Sequence, residues 1–418
     1  MEISSKTDRK LNSPELLVPA SSLAVLKTAV AFGADAVYIG GEAFSLRAKA
    51  KNFTLSEMAE GIEFAHKNGV AVHVTANILA HNYDLEPAKE YFRELKELSP
   101  DALIISDPGM IMLAKENCPD IPIHLSTQAN NTNYMTYRFW YDQGIRRVVS
   151  ARELSLEQIR QIRENIPEDM EIESFIHGAM CISYSGRCLL SNYFTGRDAN
   201  RGACTHPCRW KYYITEESRP GEYLPVYENE RGTFLFNSGD LCMIEHIPEL
   251  IDAGINSFKI EGRMKTALYV ATVARTYRKA IDAAMEGQEA YEKILPWCRE
   301  QIGQCTYRKF TTGFYFGKPG PESQIYDNST YEQDAIYLGS VENCDGNAIR
   351  LTQKNKFSVG EKIEIMKPDG RDVSTEVLWI ESEDGARQQD APHAGQKLLV
   401  GLSETAEPFD ILRKKGRR

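Results

Sequence analysis

The sequence predicts an α/β fold: a closed (β/α)8 TIM-like barrel with a cysteine-rich insertion after strand seven, followed by a small C-terminal β-barrel domain. Three observations carry that expectation. Eight short, nearly continuous apolar runs alternate with amphipathic stretches, the pattern of parallel strands buried on both faces. A unit of helix, glycine and strand recurs, as at Gly33 before Ala36, Gly69 before Val70 and Gly144 before Arg147, because glycine at a helix end takes the left-handed conformation that closes it. From Ala335 onward the pattern changes to short strands with Asp345-Gly346 and Asp369-Gly370 turns, the chemistry of hairpins.

In order, the expected barrel strands are Leu16–Pro19, Ala36–Ile39, Val70–Thr75, Ala102–Ser106, Ile123–Ser126, Arg147–Ser150, Ile172–His177 and Ser257–Ile260. Amphipathic periods predict helices over Ser21–Phe32, Leu55–Asn68, Glu86–Leu98, Tyr134–Gln143 and Ser155–Asn165. The barrel therefore occupies 15–305 behind a disordered 1–14, and the repeat is interrupted by an insertion at 178–256. Helices Thr266–Gly287 and Ala290–Gly303 precede a Gly/Pro/Ser-rich linker at 306–330. The β-domain is expected over 331–412, and Arg413 to Arg418 read as a solvated basic tail.

The chain has 418 residues, 42% hydrophobic and 26% charged, which excludes global disorder. Its net charge of −10 excludes a molecule that attracts nucleic acid over its whole surface, so any RNA contact needs a local patch. The first ten residues lack an apolar signal core and no uncharged run reaches the ~18 residues of a membrane span. A cytoplasmic protein with no membrane partner is expected.

Five of nine cysteines, at 181, 188, 204, 208 and 242, fall close together, which points to a metal site in a reducing compartment rather than a disulfide framework. Cys181, Cys188, Cys204 and Cys208 are separated by six, fifteen and three residues. Zinc modules pair their ligands two to four apart on both sides; this looser spacing suits an iron–sulfur cluster better, with zinc or unliganded core thiols as alternatives. Cys242 is a reserve ligand or a buried helical residue. Arg187, Arg197, Arg201, Arg209 and Lys211 face a single acid, Asp198, and alternate with Tyr184, Tyr193, Phe194, Trp210, Tyr212 and Tyr213. Cations beside stacking faces suit an unpaired RNA loop, or they shield and neutralise a cluster.

Loops at strand C-termini build the site of such a barrel. This makes Arg47, Asn77, Gln128, Arg152, His177, Glu261 and Arg263 candidates. Arginines from separate strands suit a small dicarboxylate; structural salt bridges such as Glu261–Arg263 are the alternative. His177 is a proton donor or a hydrogen-bonded core histidine.

The run His177-Gly-Ala-Met-Cys181, six residues, then Cys188-Leu-Leu-Ser, with Arg197-Asp-Ala-Asn-Arg-Gly-Ala-Cys204 behind it, resembles the signature of the U-thirty-two peptidase family, the collagenase-like proteases. Glu15-Leu-Leu-Val-Pro-Ala20, Gly33-Ala-Asp-Ala-Val-Tyr-Ile-Gly40 and Lys259-Ile-Glu-Gly-Arg263 are similar to its other landmarks. With Cys204-Thr-His-Pro-Cys208-Arg-Trp and one trailing β-domain, the chain is most similar to the family's tRNA 5-hydroxyuridine synthase branch. That resemblance implies a [4Fe-4S] cluster on Cys181, Cys188, Cys204 and Cys208, and prephenate as co-substrate. It also implies the tRNA anticodon loop as partner; by their place mid-loop between Cys188 and Cys204, Arg197 and Arg201 are the cations expected to hold it. His177, Arg152, Glu261 and Arg263 are then the catalytic candidates, with Arg47, Asn77 and Gln128 beside substrate. A peptidase, a ribosomal RNA cytidine hydroxylase and a non-catalytic RNA-binding protein are the alternatives. No His-Glu-x-x-His and no nucleophile elbow speaks for the peptidase.

Overall fold

The computed structural model describes residues 13–45, 52–181, 183–210, 239–305, 309–319 and 335–416, with four two-residue strands between 214 and 233. Seven strands lie side by side: β1 (Glu15–Pro19), β2 (Ala36–Gly40), β3 (Ala71–Thr75), β4 (Ala102–Ile105), β5 (Ile123–Leu125), β6 (Arg147–Val149) and β7 (Glu171–Ala179). An eighth, Ser257–Ile260, pairs in parallel with both β7 and β1, which closes the expected barrel.

The helices form where capping and periodicity agree. Thr54 and Glu57 make a reciprocal capping box that starts α2 (Leu55–Lys67), and Ser155 and Gln158 do the same for α6 (Leu156–Glu164). Gly69 (φ 65°) and Gly144 (φ 78°) end α2 and α5 (Tyr134–Asp142) in the left-handed region. The short helix α4 (Pro108–Asn117) was not among the expected ones, although Asp107 caps it and Pro108 occupies its first turn. Helix α3 (Asn82–Leu98) starts four residues before the expected Glu86, because His81 and Asp84 cap it upstream of Pro87.

Strand alternation divides the barrel into two environments. Outward residues such as Val18, Val37, Val72, Leu103 and Val148 join the helices in one apolar cluster. Inward, only Leu17, Ala36, Tyr38 and Ile104 form a small second cluster, and the remaining interior is a charged plug. Arg147 donates to Glu15 and to Glu171 at 2.6 Å each, and Lys259 donates to Glu173 at 2.6 Å. His73 and His124 meet edge to face at 4.7 Å beside them. Burial pushes Glu15 up, yet the charge of Arg147, nearby His73 and hydrogen bonds from Arg147 and Ser257 together hold the carboxyl below its usual range. Burial holds both histidines below theirs, hence neutral. Breaking such a pair strands an uncompensated buried charge, at a cost of about 3–5 kcal/mol.

After β7 the chain enters the insertion, which contains α7 (Leu190–Thr195) and returns through Asp240–Cys242 and α8 (Ile247–Asp252). Asp240–Cys242 lies antiparallel to the end of β7 and parallel to Phe310–Thr311. Cys242 is therefore in a strand, not a helix. Helices α9 (Ala267–Glu286) and α10 (Gln288–Gly303) follow.

Among the described residues, seven antiparallel strands make the main sheet of the C-terminal domain, Ala335–Asp345, Ala348–Thr352, Lys362–Met366, Asp372–Ser382, Arg387–Gln388, Lys397–Leu402 and Ile411–Lys415, and Phe357–Ser358 pairs with Asp390–Ala391 beside it. Lys362–Met366 pairs with both Ile411–Lys415 and Asp372–Ser382 and closes the sheet around its own apolar core. The basic tail needs correction here. Arg413 to Lys415 belong to the last strand, and Arg413 is 1% exposed, ion-paired to Glu364 (3.1 Å) and Asp372 (3.0 Å). Residues 1–12, 306–308, 320–334 and the final two lie outside the described residues.

Candidate functional site

Barrel strands and insertion meet at the C-terminal mouth around a cavity of about 190 Å³. Each charged side chain there follows from strand geometry. Lys259, Glu261 and Arg263 alternate at the end of the eighth strand and all line the cavity. Arg263 is buried and donates to Ser45 Oγ (2.6 Å) and Thr75 Oγ1 (2.7 Å). Arg152, just past β6, donates to Ala179 O (2.9 Å) and Glu261 Oε2 (3.1 Å), and its guanidinium lies 3.9 Å from the Phe175 ring centroid. Its buried Nε has no hydrogen-bond partner among the described residues. Three cations, Arg152, Lys259 and Arg263, thus share the lining with one acid, Glu261.

The amide candidates are joined too. Asn77 Nδ2 donates to Gln128 Oε1 (3.0 Å), which also accepts from Ser126 Oγ (2.6 Å). Asn130, in the left-handed region, donates to Ser185 O (3.0 Å) and accepts from Arg187 Nε (2.8 Å), and so fastens the insertion to the end of β5. Ser191 Oγ and Thr205 Oγ1, 3.0 Å apart, hold α7 to the loop that carries Cys204 and Cys208. Gly178 (φ 109°) lets the β7 end approach Glu261; a Cβ there would stand 2.6 Å from the Glu261 carbonyl oxygen.

Cys181, Cys188, Cys204 and Cys208 all line this cavity, and none is in a disulfide. Arg152 Nη1 is 4.0 Å from Cys181 Sγ, and Cys204 Sγ is 3.9 Å from His206 Nδ1. Among the described residues no three His, Cys, Asp or Glu side chains converge as metal ligands, so the thiols share the mouth without meeting at one point. Cys242 does not line the cavity. It borders a separate cleft with His246 and Arg299, its Sγ 3.7 Å from Tyr277 OH, and burial pushes its thiol up to about 11. Cys118 and Cys298 are buried and likewise shifted upward.

Two other expectations change. His177 does not face the cavity: it is 1% exposed among Tyr269, Tyr277 and Phe310, with Nδ1 3.3 Å from Tyr277 OH. Burial pulls it down to about 3. Phe175 pairs with Lys259 but His177 with the next residue, Ile260, so an extra residue in β7 turns the histidine outward. Arg201 does not point freely to solvent either; it forms a bidentate pair with Asp84 (2.8 and 2.9 Å) that binds the insertion to α3. Arg197 is exposed, and Arg47 lies outside the described residues. Lys259 was missed as a candidate, although its place two residues before Glu261 was the available signal.

Comparison with known proteins extends this picture. Residues 21–325 match peptidase family U32, and 333–413 match the peptidase family U32 C-terminal domain. The chain is 41% identical to tRNA hydroxylation protein P1 of Bacillus subtilis, over 96% of this chain and 94% of that one. It is 39% identical to tRNA hydroxylation protein P of Escherichia coli, over 94% and 95% of the two. It is also 41% identical to the 23S rRNA 5-hydroxycytidine C2501 synthase of Escherichia coli, over 65% of this chain but 40% of that longer protein.

Proposed function

The chain belongs to peptidase family U32, and from that premise we propose that it is an RNA-hydroxylating enzyme. In this reading it converts the wobble uridine of tRNA to 5-hydroxyuridine, with prephenate as co-substrate and a [4Fe-4S] cluster as cofactor. The observation that carries it is one cavity at the barrel mouth lined by four thiols, three cations and a carboxylate. Near full-length similarity to two proteins named for tRNA hydroxylation supports the choice of RNA.

Cys181, Cys188, Cys204 and Cys208 would hold the cluster, since four thiols outside any disulfide match its donor number and softness. When bound, such a cluster supplies electron transfer beside the substrate. The protein's own residues bind and orient. Arg152, Lys259 and Arg263 suit the two carboxylates of prephenate, and Arg152 keeps one uncommitted N–H for the purpose. Asn77 and Gln128 offer the amide groups that read a pyrimidine edge. Glu261, held by Arg152, is an acid–base group within reach of the cavity. The peptidase reading has less support, because no hydrogen bond joins Ser183 or Ser185 to a histidine among the described residues.

Anaerobically purified protein is expected to be brown, with about four irons per chain. Cys181→Ala should remove the colour while Cys242→Ala and Cys298→Ala keep it. Deleting the gene should remove 5-hydroxyuridine from digested bulk tRNA, read by mass spectrometry. Stoichiometric zinc together with an unchanged nucleoside profile would overturn the proposal.

A further inference from the structure

Beside the cavity mouth, α3 begins with an aromatic pair, His81 and Tyr83, whose tyrosine ring lies largely open. The helix buries Asp84, Ala88, Tyr91, Phe92 and Leu95 along one stripe, and Tyr83 lies off that stripe, 68% exposed. Its ring is parallel to that of His81, at an interplanar angle of 4° and a centroid separation of 5.5 Å. The Arg201 guanidinium sits 5.1 Å from the Tyr83 centroid, fixed there by its bidentate pair with Asp84. The backbone just before Arg201 is itself tied to this corner, since Leu79 N donates to Asn200 O at 3.3 Å, and Asn200 lines the cavity.

The insertion also presents exposed rings. Tyr193 is 81% exposed and packs on Phe194, which packs on Trp210. Residues 187–211 carry a net +4 in a chain whose total is −10. Open aromatic faces with local positive charge complement a polyanion whose unpaired bases offer flat faces of their own.

We propose that Tyr83, stacked on His81 and bracketed by Arg201, is a platform for an unpaired nucleobase of single-stranded RNA that neighbours the nucleotide entering the cavity. This rests on the RNA reading above and assigns a residue to it. His81 backs one side of the tyrosine, and Arg201 is already immobilised, so little side-chain freedom is lost when a base arrives. The contact is made through a ring face common to every base, so it favours an unpaired segment over a duplex without reading sequence.

The test uses full-length protein as purified and an anticodon stem-loop with 2-aminopurine in its loop, whose fluorescence is quenched on stacking. Tyr83→Ala should weaken binding about 5- to 150-fold and abolish the quenching with an unchanged salt slope, whereas Tyr83→Phe should keep both. Because Tyr83 is exposed, both variants should melt with the wild type. Tyr83→Ala binding within twofold of wild type with quenching intact would overturn the platform and leave the RNA reading standing. A wild type that binds no stem-loop and leaves the nucleoside profile unchanged would overturn both. A Tyr83→Ala defect confined to gelatin peptides would assign the face to protein instead.

Discussion

His177 shows how one residue can stand inside a signature and yet face away from the chemistry. Its ring is sealed between β7 and α9, where burial and then the Lys265 ammonium disfavour the imidazolium. Below its ordinary value near 6.5 the unfolded chain takes up a proton that folded His177 refuses until about 3. Stability is therefore expected to fall as pH drops from 6.5 toward 3, by up to about 1.4 kcal/mol per pH unit for this group. Urea unfolding of wild type and His177→Gln at pH 7.0 and 5.5 checks it, the variant losing less on acidification. If the histidine were instead a catalytic proton donor, the variant would lose an ionisation from its pH–rate profile while its stability slope stayed the same. Alternation along a strand placed Arg152, Glu261 and Arg263 at the mouth from sequence alone, because each follows a strand end. It failed at His177 because one bulged residue reverses the face, and nothing in the local sequence marks that bulge. Lys259 was legible by the same alternation but hidden by its apolar neighbours Phe258 and Ile260.

At the scale of elements, two side-chain contacts fix the part of the insertion that carries Cys188 and Cys204 to the barrel. Asn130 grips its first turn, and the Asp84–Arg201 pair grips its middle. That pairing spans 117 residues and joins α3 to a loop, so sequence reading took Arg201 for an outward phosphate contact. Arg201→Ala should leave most of the barrel unchanged but speed hydrogen exchange across 190–205 by about 3- to 10-fold, and Asp84→Asn should do the same, since such part-exposed pairs contribute around 1 kcal/mol. Arg197→Ala should not. Exchange measured by mass spectrometry after peptic digestion separates these outcomes, and equal protection in all three proteins would remove the strap.

The whole molecule is joined by another buried arginine. Arg275 of α9 is 1% exposed and reaches into the C-terminal domain, donating to Asp372 Oδ1 (3.0 Å) and Lys367 O (2.9 Å) while Gln301 of α10 accepts from it at 2.6 Å. Asp372 also pairs with Arg413, so the two domains share one carboxylate. Sequence periodicity marked the change from helices to short strands, but it could not anticipate that a buried ion network ties the two parts together. Asp372→Ala removes the carboxylate paired with buried Arg275, while Arg413 keeps Glu364, and should cost about 3–5 kcal/mol. Calorimetry should then resolve two transitions where the wild type gives one, and a single unshifted transition would show that the domains are coupled by other means.

The charged plug beneath Lys259 has a kinetic meaning as well. Among the described residues, a barrel filled at its base by Arg147, Glu173 and their partners leaves its chamber open at the mouth. Once a macromolecule lies across that mouth, no small molecule can pass it in either direction. For the proposed reaction this imposes an order of traffic: the small reactant would arrive first, the large one would close over it, and the spent small molecule would depart only after the large one had let go.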